Sequence, residues 1–200
     1  MLTDTQIFDA IRERRNAPLT QAHVDTINAI MYPATGVVSP ADPAWITAAR
    51  RRIGEGEIRG PKHNSWIAKG WARLGAGWYN DDETPWCGFF VADCLASAGL
   101  PYPKNFPAAA SFRTWGSPVK AQLGAIGVKV RPGGNHTFFI VGETPDKQFF
   151  KALGGNQSNA VNIMDIRKSE TDAIRWPQGA AAMVTGLPVL PPGRISRNEA

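Results

Sequence analysis

Apolar positions fall into two regimes along this chain. Up to about residue 115 they recur at helical spacing; beyond Ser117 they alternate. Ile7, Ala10 and Ile11, then Val24, Ile27, Ile30 and Met31 behind a cap at Thr20, predict two short helices. Pro33 ends the second, and 34–40 reads as a linker, so residues 1–38 form a small helical segment, expected to dock or to bind an external surface. A helix over 43–53 follows, capped by Asp42, then a polar, glycine-rich run over 54–64 and a helix over 65–74. Cys87, Phe90, Val91, Cys94, Leu95 and Ala98 trace the stripe of a further helix, with Thr84 as its N-cap and Pro85 at its first position. One or two helical turns fall within 108–115.

Period-two stretches at 124–131, 136–142, 148–153 and 160–166 predict strands, and a fifth runs through 180–190. Turn-forming residues separate the first three, at Arg131-Pro132-Gly133-Gly134-Asn135 and Glu143-Thr144-Pro145-Asp146-Lys147. Helices first and an antiparallel meander second predict an α+β fold. The main domain spans 39–190, and 191–200 reads as a polar tail.

Two hundred residues, 43% hydrophobic and 20% charged, suit one globular domain with a small appendage. The net charge of +5 includes seven basic residues between Arg50 and Arg73. That excess suits an anionic partner such as a wall polymer or an outer-membrane surface; no nucleic-acid recognition motif accompanies it. The two cysteines, Cys87 and Cys94, stand two helical turns apart, ~10.5 Å along the axis, beyond disulfide reach. The three histidines fall in no metal-binding spacing, so neither a metal nor a cofactor is expected. The acidic run Asp81-Asp82-Glu83 lacks a full calcium ligand set. No secretory leader pattern opens the chain and no run is long enough to span a membrane, so a soluble, monomeric, cytoplasmically made protein is expected.

Chemistry concentrates at Cys87. A thiol in the first helical turn sits beside unsatisfied backbone N–H groups and the positive end of the helix dipole, which favour the thiolate. Gly88 would leave room for a substrate carbonyl. His136 opens one strand and Asn156 follows the next, so antiparallel pairing would bring them to one sheet edge. His63 is the rival base, in a loop.

The order Cys, His, Asn, helix before sheet, resembles the papain-like NlpC/P60 and CHAP amidase/peptidase superfamily, in particular a CHAP-like subgroup of phage endolysins and bacterial wall hydrolases. The matching segments are Glu57-Ile58-Arg59-Gly60-Pro61-Lys62-His63-Asn64, Asp81-Asp82-Glu83-Thr84-Pro85-Trp86-Cys87, Gly134-Asn135-His136, Leu153-Gly154-Gly155-Asn156-Gln157 and Arg175-Trp176-Pro177. Thr137 stands where an aliphatic residue is expected, and Ala125 where an acidic one is frequent. The resemblance implies Cys87 as nucleophile, His136 as base and Asn156 as the residue that orients it. The implied activity is hydrolysis of a peptidoglycan amide, either the muramoyl–alanine bond or a stem-peptide bond. Trp78, Trp86, Trp115, His63 and Gln157 are the candidate substrate contacts. The route to the wall would be release from the cytoplasm through a holin-type lesion. The alternatives are a catalytically silent wall-binding or structural phage protein, and a papain-like enzyme acting on protein amides.

Overall fold

Helix α1 (Ala44–Arg50), helix α2 (Ser65–Arg73) and helix α3 (Cys87–Ser97) precede six strands in the computed structural model, which describes residues 42–130, 134–182 and 186–195. The strands are β1 (Ser117–Pro118), β2 (Ile126–Lys129), β3 (His136–Glu143), β4 (Phe149–Gly154), β5 (Asn162–Arg167) and β6 (Thr171–Trp176). They form one antiparallel sheet ordered β1-β6-β2-β3-β4-β5. Among the described residues this is an α+β architecture. The helix pair expected within 1–38 lies outside the described residues.

The meander from β2 to β5 matches the alternating pattern, but the last strand does not. Among the described residues of 180–190 only Val189 forms a bridge, and the sixth strand is Thr171–Trp176. It returns to pair with β2, placing Gly127 opposite Ile174. Only a short 3₁₀ turn, Lys168–Glu170, joins β5 to β6. Four strand spacings would separate these neighbours by about 19 Å in a flat sheet. The four-residue step from Arg167 to Thr171 spans at most about 14 Å. The sheet is therefore strongly curled, and its concave curl brings the strand ends toward one another.

Helix α3 is apolar all round rather than striped: every residue from Cys87 to Leu95 is buried. That is the signature of a core helix. Phe90 meets Phe139 of β3 edge-on, with ring centroids 5.9 Å apart. Its buried acid, Asp93, accepts from the Trp66 indole at 2.9 Å and from Arg73 at 2.5 Å, tying α2 to α3.

The helix starts also differ from the pattern. Asp42 does not cap α1; it binds Arg50 at 2.6 Å, and Pro43 stands at the N-cap. Asn64 caps α2, its side chain accepting from the Trp66 N–H. Thr84 does not cap α3, because its N–H and hydroxyl both go to Asp81, so the helix begins at Cys87 behind Trp86.

The expected tail is docked as far as Ile195. Glu143 exchanges backbone hydrogen bonds with Pro188 and Leu190, and Asp165 of the edge strand β5 donates to the Arg194 carbonyl at 2.8 Å. The Gly193 N–H meets the Asp165 carboxylate at 2.7 Å, and that carboxylate pairs with Lys151 at 2.6 Å. Both charged side chains are almost wholly buried. Terminal residues thus close over an ion pair that would otherwise stand at the sheet surface.

Candidate active site

Cys87 is the first residue of α3, so its own N–H and those of the next residues point out of the helix without intrahelical partners. Two close approaches fix where that end lies. A side chain at Gly88 would put its Cβ 2.0 Å from the Phe106 carbonyl oxygen. The space expected to admit a substrate carbonyl is therefore filled by the protein's own backbone. At Gly155, just past β4, a Cβ would stand 2.5 Å from Phe90 Cβ and 2.6 Å from the Trp86 ring. Only a glycine lets the end of β4 press against the first turn of α3.

That contact brings the strand ends to the thiol. Cys87 Sγ lies 4.0 Å from the carbonyl oxygen of Asn135, the residue before His136. His136 opens β3 and is 1% exposed. Its Nε2 lies 3.1 Å from Gln157 Oε1. The Gln157 amide nitrogen donates to the carbonyls of Ala152 and Asn162, at 3.2 and 2.7 Å. Its oxygen must then be the atom that faces His136, and His136 Nε2 carries the proton.

The residue against the imidazole is thus Gln157, where Asn156 was expected. Asn156 Oδ1 is buried and accepts no hydrogen bond from the described residues, and its backbone takes a left-handed φ of 55°. Ser158 and Asn159 are left-handed as well. This irregular path turns neighbouring side chains in unrelated directions, so the imidazole partner moves one residue along the chain. Gln157 is wholly buried with its amide fully engaged, which removes it from the substrate contacts.

Trp86 leaves that group for the same reason. Its ring is completely buried, and its indole N–H donates to Glu57 at 3.0 Å. It anchors the wall of the site rather than lining it. Trp115 is half-buried and packs edge-on against Phe112. Trp78 is 70% exposed and remains open to a ligand.

The wall itself is the run 54–64. It pairs with the loop after β4 through Gly54 to Val161, Glu57 to Asn159 and Val161 to Glu55. The buried Asp82 holds its other end, accepting from the N–H groups of Ile58 and Asn64 and from His63 Nδ1, all within 2.9 Å. Burial pushes the Asp82 carboxyl up, but the Asn64 and Ile58 N–H groups and the His63 imidazole together hold it below the usual carboxylate range. The same hydrogen bond raises His63 above its ordinary value. Burial raises Glu57, against the Trp86 hydrogen bond and with the charges of Asp82 and Glu83. Asp81 is spent on the N–H groups of Glu83 and Thr84, so the acidic run builds the turn before α3.

Cys94 is the second, silent thiol: burial first, then the charge of Asp93, pushes it well above the ordinary range. Sequence reading missed three of these roles, those of Gln157, Glu57 and Asp82. Glu57 and Asp82 stood inside quoted motifs, but nothing in their spacing identified a partner. No family model matches this chain, and no curated protein matches it.

Proposed function

We propose that the chain is a cysteine-dependent amide hydrolase of papain-like type acting on peptidoglycan. The observation that supports it is the hydrogen bond from His136 Nε2 to Gln157 Oε1 beside the Cys87 helix start. That bond leaves Nδ1 as the basic atom of the imidazole.

In this reading Nδ1 takes the proton of Cys87 and the thiolate attacks the amide carbonyl. The tetrahedral oxyanion draws on the backbone N–H groups of the first turn of α3. The C–N bond breaks as the imidazolium gives its proton to the leaving amine, and a thioester forms. Water, deprotonated by His136, attacks the thioester, releasing the carboxylic acid and restoring the thiol. Gln157 holds the imidazole in one tautomer without adding charge. Trp78, with the half-buried Trp115, remains as a contact for the wall polymer, and the resemblance to phage lysins supplies the route of release.

The test is turbidity loss of purified walls, followed by mass spectrometry of the released muropeptides. Cys87→Ala should lower the rate roughly 10⁴-fold or more with the fold intact. Equal lysis by both proteins would end the cysteine mechanism. Wall binding without new amine termini would favour a silent binding protein, and cleavage of casein in preference to walls a protein-directed enzyme.

A further inference from the structure

One face of the imidazole is controlled by a residue with no hydrogen-bonding capacity. His136 and Phe138 are two apart on β3, hence on one face of the strand. Their rings stack at 22° with centroids 5.7 Å apart, within the range of offset aromatic pairs. Phe138 is wholly buried, and its cross-strand partner on β2 is Gly127. A Cβ at Gly127 would stand 2.5 Å from two atoms of the Phe138 ring. The ring therefore folds across the bare glycine, a pairing in which an aromatic covers the gap that a strand glycine leaves. Any larger residue at 127 pushes the ring away, and the imidazole forms its other boundary.

We infer that Phe138, cradled by Gly127, is a positioning residue that sets the plane of the His136 imidazole; this rests on the cysteine-hydrolase reading above. The hydrogen bond to Gln157 anchors one edge of the ring, and a bond along one N–H···O axis does not by itself set the ring plane. The stacked face of Phe138 sets that plane, and with it the direction of Nδ1. The charged and titratable groups around the imidazole belong to other elements. Lys129, its cross-strand partner on β2, pairs with Glu170 at 2.9 Å, and Cys87 lies on α3. Replacing Phe138 by Leu removes neither a charge nor a hydrogen-bonding group, so an altered pH response would come from geometry.

The experiment uses the full chain as wild type, Phe138→Leu, Phe138→Tyr and Gly127→Ala, each with its melting temperature. Two quantities are read: the rate of Cys87 alkylation by iodoacetamide from about pH 5 to 9, and kcat and KM on purified walls. Cys94, buried with its thiol pushed up, stays silent. In the wild type, the alkylation curve should lie below that of a free thiol. Phe138→Leu and Gly127→Ala should return it toward the free-thiol curve and lower kcat about tenfold at unchanged KM. Phe138→Tyr, which keeps a flat ring, should restore the curve even if its buried hydroxyl lowers the melting temperature. If Phe138→Leu does not fold, Gly127→Ala decides, because it displaces the same ring from the other strand. Wild-type curves in both variants, with a displaced wild-type curve, overturn the positioning role and leave the hydrolase reading standing. An ordinary thiol curve in the wild type, with no wall hydrolysis, overturns the hydrolase reading itself.

Discussion

His136 donates an Nε2–H hydrogen bond to a neutral amide oxygen, whereas His63 donates its Nδ1–H to a carboxylate. The first is buried at a strand end, the second half-exposed in a loop. From composition and spacing they are rivals for the role of base. Their partners separate them. An amide orients an imidazole without placing a charge beside it, which suits a group that must take and return a proton. A buried carboxylate favours the imidazolium and holds the ring in place, which suits a strut. Asp82 uses His63 in this way, together with two backbone N–H groups, to pin the wall that carries Glu57.

Removing the two rings in turn gives the widest separation. His136→Ala should lower wall hydrolysis by about 10³-fold or more, while His63→Gln leaves kcat within a few-fold. Comparable losses in both, at equal fold content, would collapse the distinction. The next test makes one histidine resemble the other. Gln157→Glu places a carboxylate beside His136, so its imidazole should titrate higher and the pH–rate profile should move to more alkaline values. The Ala152 and Asn162 carbonyls lose their donor at the same time, at a cost of about 2 kcal/mol. An unchanged profile would mean that Gln157 does not touch the reacting imidazole in solution.

Asp82→Asn probes the strut from its other side. It turns a three-fold acceptor into an amide whose NH₂ faces N–H donors, for a loss of about 2 kcal/mol. For a chain of this size the melting temperature should fall by roughly 4–8 °C. The smallest effect is the pH dependence of His63. Because its folded value is raised, the stabilisation is fully present below the ordinary 6.5 and is lost as pH rises through the raised value. At the acidic end it disappears as pH falls through the lowered value of Asp82. The difference in melting temperature between wild type and His63→Gln should be widest between those limits and close above them. A pH-independent difference would exclude the ion pair as its source.

Periodicity gave the α+β order, the β2–β5 meander and the position of Cys87 at a helix start, because those features depend on local pattern. It failed where three-dimensional contact outranks pattern. Thr171–Trp176 does not alternate, since Ala173 and Ile174 are adjacent apolar residues, and only the curl of the sheet explains why it pairs with β2. The imidazole partner was misplaced by one residue because left-handed backbone at 156, 158 and 159 has no period to read. Trp86 reads as an amphipathic aromatic beside a nucleophile, but Gly155 draws β4 so close that the ring is sealed beneath it.

The docking of residues 186–195 bears on the order in which the molecule is completed. During synthesis β5 emerges before the segment that pairs with Asp165 and covers the Lys151–Asp165 ion pair. Until Gly193 and Arg194 arrive, the nascent sheet presents an open strand edge of the kind that recruits other chains. A chain terminated before residue 186 would retain every residue of the candidate site and still lose its protection against aggregation.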